Sequence, residues 1–128
     1  IIRDHDSAMF VCRQEMMRHI AKLLNEKYGE GTVTLTMKEQ YRNMKEMIEP
    51  CMHLIDNAKK AVQQSGLNPE TVAIRGGTDG ARLSFMGLPC PNLGTGGYAF
   101  HGPCEHITVE GMDYAVENLK NIVKLYAC

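Results

Sequence analysis

The stretch from Ile74 to Ala81 is the part of the sequence best suited to binding a small ligand. A predicted strand ends there, Gly76 and Gly77 allow a tight turn, and a helix follows. The free N–H groups at the start of a helix attract anions, and the guanidinium fork of Arg75 matches the geometry of a carboxylate. The stretch therefore predicts an anion site that favours a carboxylate.

Two other interpretations of this turn stay open at the level of sequence. A phosphate-binding loop is weakly supported, because the stretch has neither a Gly-Lys-Ser/Thr ending nor a G-x-G-x-x-G pattern. The structural alternative is a tight strand–helix turn that Thr78 caps and that binds no ligand.

His101 is the residue best placed to bind a metal ion. It follows a glycine-rich loop at residues 94–97, and a neutral imidazole offers a lone pair near pH 7. A zinc site needs three or four ligands, so a single histidine is more often a surface or hydrogen-bonded residue. Glu105 and His106 are close in sequence, but their spacing from His101 is not a recognised ligand pattern.

Acidic and basic residues near the start of the chain form a second polar cluster. Arg3 and Asp4 end a predicted first strand, and a surface ion pair there contributes little to stability. Asp4 and Asp6 are close enough in sequence to be paired carboxylates, but nothing in the sequence fixes their geometry for acid–base chemistry.

Composition excludes several classes of function. The net charge of −1 argues against binding nucleic acid or an anionic membrane surface. No apolar run approaches the roughly 20 residues that span a bilayer. Five widely spaced cysteines without a C-x-x-C pair indicate packed thiols, including Cys90 and Cys104, in a reducing compartment. We therefore expect a cytoplasmic protein without nucleic-acid or membrane partners.

Hydrophobic periodicity predicts four helices, at residues 8–28, 50–64, 78–86 and 108–126. Alternation of β-branched and apolar residues predicts a strand at 32–37, and a second strand is expected at 71–75. Residues 1–4 are interpreted as the end of a strand, residues 40–49 as a partly helical connection, and residues 89–93 as a strand or an extended segment.

This order of elements predicts an α/β (α+β) fold with two lobes. Strand, helix and strand form half of a small lid, and the composition changes near residues 41–50. At 128 residues the chain is long enough for one independently folding domain. Because Ile1 and Ile2 are interpreted as the end of a strand without a partner, however, we expect a piece of a longer protein.

Several motifs together resemble the peptidase T family, the tripeptide aminopeptidases among the M20 dizinc metallopeptidases. The resemblance covers essentially the whole chain, and its long middle run is highly specific. The motifs that carry it are Ile1–Asp6, Tyr41–Met44, Ile74–Ala81, Leu83–Leu93, Thr95–Tyr98, His101-Gly102 and Glu105.

The resemblance implies two domains and assigns roles to individual residues. Residues 1–44 correspond to the second half of a lid that often mediates dimerisation, and residues 45–128 to the C-terminal part of a zinc exopeptidase catalytic domain. His101 is implied as a ligand to one of two zinc ions. Arg75 and Arg3 are implied as binders of the C-terminal carboxylate of a small peptide substrate. The glycines of the turn, Gly76 and Gly77, allow the peptide backbone to approach closely.

The chain also departs from the family pattern. Ala99 replaces a residue that is often polar, which puts one substrate contact in doubt, and His106 replaces an aromatic residue. The His-x-Asp motif, the bridging Asp, the Glu-Glu pair and a further zinc-binding acid have no counterpart here. We therefore expect the chain alone to lack zinc catalysis. A non-catalytic module that self-associates through a strand edge, or that binds carboxylates through Arg75, is the alternative.

Overall fold

Five helices and a two-stranded antiparallel sheet make up the fold in a computed structural model that describes residues 1–74 and 76–127. This mixture of helices and a small sheet is compatible with the predicted α+β class. In chain order the elements are α1 (Ser7–Tyr28), α2 (Lys45–Ile48), a 3-10 turn (Glu49–Cys51), α3 (His53–Gln64), α4 (Asp79–Phe85), β1 (Gly97–Tyr98), β2 (His106–Ile107) and α5 (Val109–Tyr126).

All four predicted helices are confirmed, as α1, α3, α4 and α5. Short polar side chains define three of their starts, because Asp6, Thr78 and Thr108 each accept a hydrogen bond from the backbone N–H group three residues later. The predicted connection at 40–49 is partly helical, as α2. None of the helices in the described ranges is long and apolar enough to cross a membrane.

The predicted strands are wrong as elements of a sheet. Residues 1–4, 32–37 and 71–74 lie outside regular secondary structure. A strand is defined by hydrogen bonds to a neighbouring strand, and the only ladder within residues 1–74 and 76–127 joins β1 to β2. Residues 89–93 likewise form no strand, which leaves the extended alternative.

The segment 33–37 nevertheless keeps the predicted alternation. Val33, Leu35 and Met37 are half-buried, and the threonines between them are exposed. The side chain of Asn25 in α1 holds its start: Asn25 Nδ2 donates to the Val33 carbonyl at 3.0 Å, and the Val33 N–H donates to Asn25 Oδ1 at 2.8 Å. Within the described residues, the backbone of residues 34–37 makes no hydrogen bond. The segment is therefore an unpaired edge beside α1.

Helices α3 and α5 form the main helix–helix contact, and its centre is polar. Asn121, 6% exposed, donates through Nδ2 to the Ala61 carbonyl at 3.3 Å and to the Ser65 hydroxyl at 3.2 Å. The Ser65 hydroxyl in turn lies 2.7 Å from Asn118 Oδ1. Ala61 is fully buried, so its small side chain allows the two helices to approach closely. These hydrogen bonds fix the register of α5 on α3.

The chain exposes far more surface than a self-sufficient domain of its size. Its accessible surface is 9986 Å², whereas a folded monomer of 14.3 kDa exposes about 6,800 Å². Only four hydrophobic residues in the described part are buried: Ala21, Ile48, Ala61 and Ala81. The expectation that the chain folds independently is therefore not supported, because a core this small offsets little of the chain entropy.

Helix α4 is tied to the segment after it through one buried hydroxyl. Ser84 is fully buried, its Oγ donates to the Gly80 carbonyl at 2.7 Å, and it accepts from the Cys90 N–H at 2.9 Å. Gly80 lies under the same segment, since a Cβ there would be 2.6 Å from the Cys90 carbonyl oxygen. The sequence Leu83–Leu93 therefore folds back onto α4.

Replacing Ser84 with alanine is expected to destabilise the polypeptide that carries this chain by about 1–3 kcal/mol, because the Cys90 N–H would be left buried without an acceptor. Thermal or urea unfolding measures the change. Thr95→Ala, at an exposed position, serves as the matched control and should leave stability within about 0.5 kcal/mol. A Ser84→Ala protein as stable as the control would contradict this role.

Candidate functional site

The glycine turn before α4 is covered by an aromatic ring. A Cβ on Gly77 would lie 2.1 Å from both Cγ and Cδ2 of Tyr41, so only glycine fits beneath this ring. Gly76 has open space around its Cα, with no atom within 4 Å of a built Cβ. Both glycines are exposed. Gly77 is therefore required for packing against Tyr41, and Gly76 leaves room for a ligand.

Arg75, the predicted carboxylate binder of this turn, lies outside the described residues. The helix that follows is short, with seven residues, and Thr78 Oγ1 already accepts from the Ala81 N–H at 3.3 Å. The capping part of the structural alternative is thus correct. The described residues around the turn neither add to nor remove the prediction for Arg75.

His101 lies at the tip of the hairpin loop between β1 and β2. Its side chain is exposed, and within the described residues neither ring nitrogen has a hydrogen-bond partner. Its nearest aromatic neighbour is the ring of Phe100, with centroids 6.5 Å apart. This excludes the interpretation that the imidazole is used up in a hydrogen bond. It leaves a nitrogen lone pair available to a ligand.

The backbone of this loop is strained and is held in place by its own polar groups. Ala99 and His101 have φ angles of 52° and 62°, a region that non-glycine residues rarely adopt. The His101 N–H donates to Glu105 Oε2 at 2.8 Å, and the Gly102 N–H donates to the Ala99 carbonyl at 3.2 Å. Such strain persists where surrounding contacts enforce it, often at functional sites. Glu105 thus fixes the backbone that presents His101.

His106 closes the base of the same loop. Its ring stacks on Tyr98 across the β1–β2 pair, with centroids 5.4 Å apart and planes inclined by 19°. Its Nδ1 is 2.8 Å from the Cys104 carbonyl. A carbonyl only accepts hydrogen bonds, so Nδ1 carries the proton. The replacement of an aromatic residue by His106 therefore preserves a stacking role.

Arg3 is exposed, and no described residue forms an ion pair with it. The next residue, Asp4, is firmly held: its carboxylate accepts from the Asp6 N–H at 3.0 Å and from Arg13 Nε at 2.7 Å. These two contacts, in that order of importance, lower the pKa of Asp4. Asp4 is therefore a charged anchor between Arg3 and α1, whereas Asp6 is a helix cap, and the two are not a catalytic pair.

The residues described in this structure do not by themselves complete a metal site. No group of three or more His, Cys, Asp or Glu side chains in ranges 1–74 and 76–127 is arranged to hold a metal ion. His101 fits a zinc ligand in chemistry and in its free ring nitrogens, but zinc requires two or three further donors. A zinc centre that includes His101 needs donors beyond these ranges.

Two residues with evident roles were not singled out as site residues from sequence. Tyr41 and Glu105 belong to motifs that carry the family resemblance, but nothing in their spacing indicated that one would cover Gly77 and the other would bind the His101 N–H. A glycine immediately before a cap residue was the available signal for Tyr41, since it often marks a close approach. Within the described residues, no hydrogen bond or ion pair joins the hairpin loop to the glycine turn or to Arg3.

Comparison with known proteins confirms the predicted resemblance. Peptidase T of Clostridium perfringens is 61% identical over 127 residues, which is 99% of this chain and 31% of that protein. Peptidase T of Caldanaerobacter subterraneus subsp. tengcongensis is 54% identical over 126 residues, and that of Desulfitobacterium hafniense is 49% identical over 127 residues. No protein-family model matches the chain.

This chain is therefore homologous to a C-terminal part of peptidase T, and it spans 31% of the length of these relatives. Identities of 49–61% extend over essentially every element of the fold.

Proposed function

We propose that this chain is the C-terminal part of a peptidase T-like zinc aminopeptidase, which removes the N-terminal residue from tripeptides by metal-assisted hydrolysis. The observation that carries the proposal is the 61% identity over 99% of the chain with a protein named peptidase T. At this level of identity the site residues of the resemblance can be carried over together.

The exposed apolar surface supports a missing remainder. On α5, the side opposite Asn118 and Asn121 carries a stripe of apolar residues that are 43–66% exposed, although such faces are normally buried. A longer polypeptide supplies the surface to cover it. The stripe consists of Val109, Met112, Val116, Leu119, Val123 and Tyr126.

In the proposed enzyme His101 is one ligand of a two-zinc centre. Zinc, when bound, lowers the pKa of a water molecule and polarises the scissile carbonyl. His101 contributes a ring nitrogen from a loop whose backbone Glu105 holds. The general base and the other metal ligands of the family have no counterpart in this chain, so residues 1–128 alone do not perform the reaction.

Substrate binding in this proposal falls to Arg75 and Arg3. Both guanidinium groups pair with the free carboxylate at the far end of the peptide, which measures its length. Gly76 admits the peptide backbone because its Cα faces open space, and Gly77 keeps the turn closed against Tyr41. The proposed enzyme is cytoplasmic, acts on small peptides and dimerises through its lid, which comprises residues 1–44.

The direct test compares this 128-residue chain with a polypeptide that also contains the His-x-Asp and Glu-Glu motifs, here called the intact enzyme. With zinc and a tripeptide, the intact enzyme is expected to release the N-terminal amino acid, and a chelator should stop it. The isolated chain is expected to release none. Absence of turnover from the intact enzyme, or comparable turnover from the isolated chain, would contradict the proposal.

The rival function is a self-associating module, and the unpaired backbone at residues 34–37 favours it. This edge lies beside a shallow groove of about 430 Å³, which Arg18, Ala21, Asn25 and residues 33–37 line. An exposed edge can pair with a strand from a second chain. Light scattering of the isolated chain at several concentrations, together with peptide turnover by the intact enzyme, separates the two functions.

A further inference from the structure

Residues 41–46 contact both segments to which the proposed function assigns substrate binding. The ring of Tyr41 covers Gly77, in the turn that follows Arg75 in sequence. Asn43 Nδ2 donates to the His5 carbonyl at 2.7 Å, two residues after Arg3. The Ser7 hydroxyl and Glu46 Oε1 are 2.5 Å apart. One short segment is thus attached to the Arg3 segment by two hydrogen bonds and to the glycine turn by an aromatic ring.

We propose that residues 41–46 are a strut that sets the spacing between the Arg3 segment and the glycine turn, and thereby sets the length of peptide the enzyme accepts. This inference rests on the proposed function. Tyr41 and Asn43 are its positioning residues, since they act through Gly77 and His5 and not on the substrate.

The physical argument concerns rigidity. Two groups can measure a peptide only if the distance between them is fixed, and a misplacement of about 1 Å at a binding group costs on the order of a hundredfold in rate. The strut has little freedom of its own: the Lys45 N–H donates to Asn43 Oδ1 at 3.1 Å, and helix α2 contacts α4. The Asn43 amide therefore uses its oxygen to start α2 and its nitrogen to hold the Arg3 segment.

Asn43→Asp in the intact enzyme separates these two functions of the amide. The carboxylate keeps the acceptor for the Lys45 N–H and removes the donor to the His5 carbonyl. We expect the KM for a tripeptide to rise about 3- to 10-fold, as for one lost hydrogen bond, with kcat within twofold. The preference for tripeptide over tetrapeptide, as the ratio of kcat/KM values, should fall by a similar factor. Asn68→Asp, at an exposed position, is the control for charge.

The Tyr41–Gly77 contact supplies a second, independent test. Gly77→Ala should lower the length preference because the methyl group displaces the ring, and the double variant Tyr41→Ala/Gly77→Ala should recover part of the loss in kcat/KM. Tyr41→Phe should behave as the unsubstituted enzyme, whereas Tyr41→Ala should not. Gly94→Ala, with open space at its Cα, is the matched control for an added methyl group.

The outcomes distinguish the strut from the function on which it depends. An unsubstituted intact enzyme that cleaves no peptide refutes both. An active enzyme whose length preference stays within twofold in Asn43→Asp and Tyr41→Ala refutes the strut alone. Equal losses of kcat/KM for tripeptide and tetrapeptide, or a Tyr41→Phe variant as impaired as Tyr41→Ala, also refute it.

Discussion

Replacing His101 with alanine in the intact enzyme is expected to remove one of two bound zinc ions and to lower tripeptide turnover by more than about a hundredfold. Loss of a residue that only supports a metal ligand already costs about 10- to 100-fold in metal affinity or activity, so loss of a ligand should cost at least as much. Metal content per protein, measured by atomic emission after dialysis, tests the binding claim without depending on activity.

The control for this substitution is His19→Ala. His19 is an exposed histidine on α1, so its loss changes the histidine count but not the hairpin loop. We expect it to retain both zinc ions and full turnover. A His101→Ala enzyme that keeps two zinc ions per chain would show that the imidazole is a surface residue. That was the alternative left open by the sequence.

The helices could be predicted because their determinants are local. Asp6, Thr78 and Thr108 each cap a helix through a bond to a residue three positions away, and the apolar repeat of α5 continues through 18 residues. The strand at 32–37 could not be predicted as a paired element in the same way. Its alternation is present in the structure, but a sheet requires a second strand, and the described residues offer only the side chain of Asn25.

The candidate site shows the same division between local and distant information. The sequence predicted that His101 would follow a flexible loop, and the structure adds that the loop is strained and that Glu105 holds the His101 N–H. The contact of Tyr41 with Gly77 joins positions 36 residues apart and left no periodic signal in the sequence. Local chemistry predicts which residue can bind, but only the folded chain shows what positions it.

Arg75→Ala in the intact enzyme is expected to raise the KM for a tripeptide with a free C-terminus by about 10- to 100-fold, with a smaller change in kcat. Hydrogen bonds to charged groups contribute about 1.5–3 kcal/mol, and the bound carboxylate would lose such a partner. Arg75→Lys should recover only part of this, because an ammonium group does not form the paired bonds of a guanidinium. Steady-state kinetics with the free tripeptide measures the effect.

The substrate itself provides the sharpest control for Arg75. A tripeptide amide has no terminal carboxylate, so its KM should already be high and should change little on Arg75→Ala. The two changes should therefore be strongly non-additive, as expected for groups in direct contact. Arg82→Ala, an exposed arginine on α4, should raise neither KM. Additive effects of Arg75→Ala and amidation would mean that Arg75 stabilises the glycine turn and does not bind the carboxylate.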